Sequence, residues 1–192
     1  MELTPTTELE AVNVMLDTIG ESPVSDLDTV TSVDVAKARD MLRAFSREIQ
    51  SKGWWFNSDE QYEFTLDAQG YCVLPNQILS LRPSIGGLRL TMRNKRVWDL
   101  DNKTDKFDSA PACDVVWFFD FEDLPESARR YIAIRAGRVF QTSVLGSETQ
   151  DVFTKNHEAE AYTTFASEHD DFQFARGLSF IQSTESTDIW DH

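Results

Sequence analysis

Thiols, histidines and long apolar runs are scarce in this chain, and each scarcity closes off a class of function. Two cysteines among 192 residues, Cys72 and Cys113, cannot build a tetrahedral zinc site. In a reducing compartment they are expected as two buried free thiols. Both fall in predicted strands, so a bridge between them is the other arrangement open to them. Of the three histidines, His157 is followed by Glu158 but has no second His four residues on, which excludes the helical zinc-protease pattern. There is no Gly-x-Ser-x-Gly elbow and no Gly-x-x-x-x-Gly-Lys or Gly-x-Gly-x-x-Gly phosphate loop. No apolar run approaches the ~20 residues that span a bilayer. The start, Met1-Glu2-Leu3-Thr4-Pro5, has neither a basic region nor an apolar stretch, so no secretory signal is expected. Bases are outnumbered, 18 Lys and Arg against 33 Asp and Glu, for a net charge of −15. That balance argues against a general nucleic-acid binder.

What is present is enough to fold. Hydrophobic residues make up 41% of the chain, with thirteen Phe and five Trp, ample for one domain or one domain with a large insertion. Thr7 followed three residues later by Glu10 reads as a capping box. Leu9, Val12, Leu16 and Ile19 then line one helical face, and Gly20 stops it before Pro23. A second helix is expected from Thr31 or Ser32, with Val35, Ala38, Leu42, Phe45 and Ile49 as a narrow seam and Gly53 as its stop. Trp54-Trp55-Phe56 follows at once. Three adjacent aromatics cannot all point one way, so they mark core at a junction.

From residue 61 the period changes to two. Tyr62, Phe64 and Leu66 alternate, Ala68-Gln69-Gly70 turns, and residues 71–75 return as a hairpin partner. Residues 78–82 form another short strand. Residues 88–92 and 96–100 read as a hairpin about Asn94. Residues 113–121 form the strongest strand, apolar on both faces and therefore central. Helices return after Pro125, the first of them apolar on more than one side. Ser147 with Gln150 suggests a second capping box, opening a long helix to about Ala175. The fold class expected is α+β. A four-helix bundle from residues 1–57 and 123–176 carries a β-rich insertion over residues 58–122, and residues 177–192 form a flexible C-terminal arm.

Charge is unevenly spread. Residues 1–34 hold eight acids and no base, and residues 147–192 hold ten acids and two bases, so each end carries −8. Residues 82–106 hold seven bases and three acids, a charge of +4. Acidic ends around a basic middle suit head-to-tail contact between copies, or a partner with a complementary face. The candidate contact residues are Arg89, Arg93, Lys95 and Arg96, with Trp190 as an anchor in the arm. Asp120, Glu122 and Asp123 are the best placed carboxylates for glycoside hydrolysis, and His169-Asp170-Asp171 for a surface cation. With 33 acids such clusters arise without function. No nucleophile, base and oxyanion donors converge, so no catalytic, cofactor or metal residue is assigned.

Two blocks, residues 9–25 and Ile49-Gln50-Ser51-Lys52-Gly53-Trp54-Trp55-Phe56-Asn57, stand in the order and spacing of the tail tubular protein A family, which this chain resembles. The likeness continues through Asp105-Lys106-Phe107-Asp108-Ser109 and through Leu124-Pro125-Glu126 with Arg129, Tyr131, Ile132, Ala136, Arg138, Phe140 and Gln141. The resemblance implies a head-to-tail adaptor of short-tailed phages of the T7 type. Such proteins form twelve-copy rings between the portal and the tail nozzle protein. They extend the DNA channel and help retain and eject the genome. The implied partners are other copies of itself, portal, nozzle, and double-stranded DNA passing without sequence-specific binding, with no membrane and no cofactor. The implied location is the virion tail, after assembly in the host cytoplasm, and no turnover is expected. Two other readings stay open: a tail-associated, carboxylate-based glycan hydrolase, and a small acidic binding module unrelated to phage.

Overall fold

The computed structural model describes residues 6–29, 32–146 and 148–185. The chain mixes helices with small antiparallel sheets, an α+β architecture. It divides into two compact units. One holds residues up to 45 together with those from 124 on, and the other holds residues 46–123.

The helical unit contains α1 (Glu8–Asp17), the first part of α2 (Val33–Gln50), α3 (Glu126–Leu145) and α4 (Glu148–Glu185). The capping box is present in full. The Thr7 hydroxyl accepts from the Glu10 amide at 3.2 Å, and the Glu10 carboxylate accepts from the Thr7 amide at 2.9 Å. Helix α1 buries Ala11, Val12, Met15 and Leu16 and packs on α3, which offers Ala128, Ile132, Ala136 and Phe140. The loop after α1 is held by one side chain. Asn13 donates through Nδ2 to the Val24 carbonyl (2.9 Å) and accepts the Val24 amide at Oδ1 (2.8 Å). A single amide thus replaces two backbone partners for a segment with no secondary structure of its own. Between α1 and α2, Glu8 takes both Arg39 (3.0 Å) and Arg43 (3.3 Å). Between α3 and α4, Glu158 receives Arg135 at 2.9 Å and also Arg138, and Tyr131 stacks on Phe165 with ring centroids 5.6 Å apart.

Helix α4 continues past Ala175 to Glu185, so residues 177–185 are helical where an extended arm was expected. Tail composition alone gave no helical period there. The expected capping residue Ser147 and the anchor Trp190 lie outside the described residues.

The second unit starts with the last turn of α2. Its three-stranded sheet has the order β1 (Ser58–Glu63), β5 (Ala112–Trp117), β2 (Ile78–Pro83), antiparallel throughout. Strand β5 is the middle one, as its two-sided apolar pattern implied, and it buries both Val115 and Val116. A bulge in β1 leaves Gln61 at φ 52°, and Asp114 of β5 serves it. The Asp114 carboxylate accepts from the Ser84 hydroxyl (2.6 Å) and the Gln61 amide (3.1 Å). Strands β3 (Leu90–Arg93) and β4 (Arg96–Asp99) form the expected hairpin, with Asn94 and Lys95 both at positive φ (50° and 57°), a geometry suited to a two-residue turn. The core of this unit is Phe64, Cys72, Leu74, Leu81, Leu90, Val97, Cys113 and Val115.

One expected pairing is reduced. The return of residues 71–75 on Tyr62–Leu66 amounts to one bridge, Leu66 to Cys72. The Asp67 carboxylate caps the turn by accepting the Gln69 and Tyr71 amides, each at 2.9 Å. The segment beyond then bonds elsewhere: the Val97 amide to the Cys72 carbonyl, the Leu74 amide to Lys95, and the Phe107 amide to Gly70. Strand period reports which residues face a core, not which neighbour completes the ladder.

Cys72 and Cys113 are free and fully buried. Burial pushes both thiols up to about 11, each further raised by a neighbour, Cys113 for Cys72 and Asp114 for Cys113. At pH 8 only about one thiol in a thousand is then ionised. Native protein is therefore expected to resist a thiol-specific chromogenic reagent at pH 8, while both cysteines react in denaturant. Fast labelling of the native chain would contradict this packing.

The carboxylates of this fold also set its response to acid. Asp114 is held below its ordinary 3.8 by the Ser84 hydroxyl and then the Gln61 amide. Asp99 is lowered by the Asn102 backbone and side chain, and Asp26 by the Asp28 amide and the Thr29 hydroxyl. Each is harder to protonate folded than unfolded. Their contribution is fully present above the unfolded value of 3.8 and is lost as pH falls through the lower folded values. Stability should fall below about pH 4, and Asp114→Asn should reduce that acid slope while lowering stability at pH 7. Denaturant midpoints from pH 2 to 7 read both, and an unchanged acid slope in the variant would exclude Asp114 as a contributor.

Candidate functional site

In the β unit the basic residues gather on the β3–β4 hairpin and the turn after it. The structure sorts them into two kinds. Arg96 is tied down: its guanidinium meets the Asp105 carboxylate at 3.0 Å and lies 3.8 Å from the Tyr71 ring centroid. Asp105 also raises the arginine's pKa by its hydrogen bond. Lys106 approaches the same Tyr71 ring at 5.4 Å. Arg89 is exposed and reaches Asp101 at 3.4 Å. At the hairpin tip Arg93 and Lys95 are exposed beside Met92 and Asn94, with Arg93 laid on the Trp98 ring at 5.0 Å. Arg93 and Arg96 face each other across the ladder. Like charges opposed in this way repel, and the two aromatic rings and Asp105 offset that. Arg93 and Lys95 are thus the exposed tip of the quartet, with Arg93 resting on Trp98 and no ion pair shown for either among the described residues. Sequence reasoning missed Tyr71, Trp98 and Asp105, since no periodicity relates a ring to a base on another segment.

In the helical unit, α1, α3 and α4 enclose a groove of about 510 Å³. Its walls are Val14 and Thr18 from α1, Ser127, Arg130, Ala133, Ile134, Gly137 and Arg138 from α3, and His157, Glu160, Ala161 and Thr164 from α4. Gly137 faces Met15 of α1, and a Cβ there would meet Met15 Cγ at 3.6 Å, an ordinary packing contact. The floor is apolar and the rim mixed in charge.

The carboxylates considered for hydrolysis line neither feature. Asp120, Glu122 and Asp123 are exposed around a 3₁₀ turn, Phe121–Asp123, and the Asp123 amide donates to the Asp120 carbonyl at 3.0 Å. That is local turn chemistry rather than a pair facing a cleft. His169 is half-buried while Asp170 and Asp171 are exposed. Among the described residues no group of three His, Cys, Asp or Glu could hold a metal ion, and no helix is long and apolar enough to cross a membrane.

A buried polar cluster lies where α2 ends. Gln50 and Asn57 are buried; both bond backbone groups, and Gln50 also donates to the Ser46 hydroxyl at 2.9 Å. Gln50 donates to the Phe119 carbonyl (3.0 Å) and accepts the Phe119 amide (2.8 Å). Asn57 donates to the Gln50 carbonyl (2.9 Å) and the Trp117 carbonyl (2.7 Å), and accepts the Trp54 amide (2.8 Å). These two side chains tie the end of α2 to the backbone of residues 54, 117 and 119. A family model described as tail tubular protein matches residues 9–173, most of the chain and both amide-stapled blocks. The chain belongs to the tail tubular protein family. It is also 34% identical over 126 residues to the tail tubular protein A of Klebsiella phage KP34, covering 66% of this chain and 67% of that protein. The matched span of this tail tubular protein contains the basic hairpin and every residue of the α1–α3–α4 groove.

Proposed function

We propose that this tail tubular protein is a structural part of a phage tail, a ring-forming adaptor that joins the portal to the tail nozzle. In this reading a four-helix bundle carries the β module between its second and third helices. Twelve copies close a ring that extends the DNA channel and helps retain and eject the genome. The chain assembles in the host cytoplasm, resides in the virion tail and carries out no turnover. Family membership is the observation that carries the proposal. The charge division supports it: acidic ends repel DNA phosphates, letting a duplex slide rather than be trapped in counterion-releasing contacts. The exposed Arg93 and Lys95 at the hairpin tip suit an acidic face on a neighbour or on the nozzle.

Negative-stain imaging of the chain with and without its cognate portal tests the reading. The expected result is an added ring of density under the portal. Portal particles that stay unchanged with excess chain would overturn it. Arg93→Glu with Lys95→Glu should leave the fold intact and weaken ring or nozzle attachment in a salt-dependent way.

A further inference from the structure

Helix α4 outlasts its partner. The Ser127 hydroxyl, one residue into α3, donates to Glu168 at 2.5 Å, so residues 169–185 of α4 run on beyond the start of α3 for about 25 Å. The stripe that packs on α3 does not end there. Ala161 and Phe165 are buried, and Phe172, seven residues past Phe165 on the same face, is 47% exposed, with Phe174 at 70%. Asp170 and Asp171 stand beside it, both exposed. A stripe that keeps its aromatic residue past the end of its partner helix is suited to a further contact.

We propose that the projecting end of α4 seats in the α1–α3–α4 groove of a second copy of this chain, with Phe172 as the anchor. The inference rests on the ring reading and names the contact that builds it. The groove supplies what the helix end lacks: an apolar floor from Val14, Ile134 and Ala161, open to solvent, with Val14 56% exposed. Its rim complements the charge. Arg130 lines the groove and is exposed, a base to meet an approach that carries Asp170 and Asp171. Arg138 is already spent on Glu158, which leaves Glu160 as the acid of the rim, opposite Arg130 in sign. The end cannot fill its own groove. Phe172 and the groove residue Ala161 lie eleven positions apart on one helix, about 16 Å. Knob and hole on different surfaces of one chain make a heterologous contact, which closes rings when the rotation allows.

The test uses two variants of the full chain. Val14→Glu places a charge in the groove and leaves the helix end intact. Phe172→Ser with Phe174→Ser removes the knob and leaves the groove intact. All three positions are exposed, so circular dichroism should match the wild type. Each variant alone is expected to lose at least tenfold in self-association by sedimentation velocity, and in ring density on the portal. An equimolar mixture should form a 1:1 dimer that grows no further, because one good knob meets one good hole. Variants that assemble as the wild type does, or a mixture that stays monomeric, would overturn this contact and leave the ring reading standing. A wild-type chain that neither self-associates nor adds density to the portal would overturn both.

Discussion

Asn57→Ala is expected to cost the β unit about 3–4 kcal/mol, a severe loss for one side chain. The alanine leaves two carbonyls, of Gln50 and Trp117, and one amide, of Trp54, without this partner in a largely buried region. Each such group costs about 1–3 kcal/mol, and partial relaxation brings the sum down. For a unit of 78 residues (46 to 123), that is a fall of more than about 10 °C in melting temperature. Asn57→Asp makes the chemistry plain. It keeps the acceptor for Trp54 but turns an oxygen toward two carbonyl oxygens, so it should be at least as damaging as alanine. Gln50→Ala should fall in the same range, since it frees both backbone groups of Phe119. Urea unfolding followed by tryptophan fluorescence reads these values. A loss under about 1 kcal/mol at unchanged slope would mean that water replaces the amide and that the staple is ornamental.

These staples explain what could be read from the chain and what could not. The helix seams were legible because burial repeats at the helical period: Val12, Leu16, Val35, Ala38, Leu42 and Ile49 all fall in the core. The capping box was legible because its two residues are three apart. The central position of β5 followed from apolar residues on both faces. Asn13, Gln50 and Asn57 looked instead like polar residues at helix edges. Their partners, Val24, Phe119 and Trp117, lie 11, 69 and 60 residues away. Such pairings are set by tertiary approach and leave no local pattern. The same holds for the candidate contacts. Basic residues in 82–106 were countable, but only the folded hairpin separates Arg96, held on Asp105 and Tyr71, from the exposed Arg93 and Lys95 at its tip. The groove was invisible for the opposite reason. It is made of ordinary helix residues whose meaning comes from a gap between three elements.

Gly53→Ala should destabilise the same unit by about 2–4 kcal/mol, through two causes that add. Gly53 sits at φ +75°, where a Cβ costs about 1–2 kcal/mol whatever surrounds it. Here something does surround it. The new methyl would lie 3.0 Å from Ser58 Oγ and 3.1 Å from Val116 Cγ2. Val116 is itself buried on the central strand, so it cannot swing aside as a surface side chain would. Gly20 supplies the control. It has a similar φ of +79° but nothing within 4 Å of its Cβ position. Gly20→Ala should therefore cost only the backbone strain, about 1–2 kcal/mol. Ser58→Ala combined with Gly53→Ala should recover part of the difference, because it removes the closer of the two contacts. The ordering Gly53→Ala worst, the double variant intermediate and Gly20→Ala mildest is the result to check by thermal and urea unfolding. Equal losses at the two glycines would mean that α2 ends as it does for backbone freedom alone, and that the close approach of the helix terminus to β5 yields readily. A larger loss at Gly53 would show that the missing side chain lets the last turn of α2 come near enough to the strand for Gln50 and Asn57 to grip it.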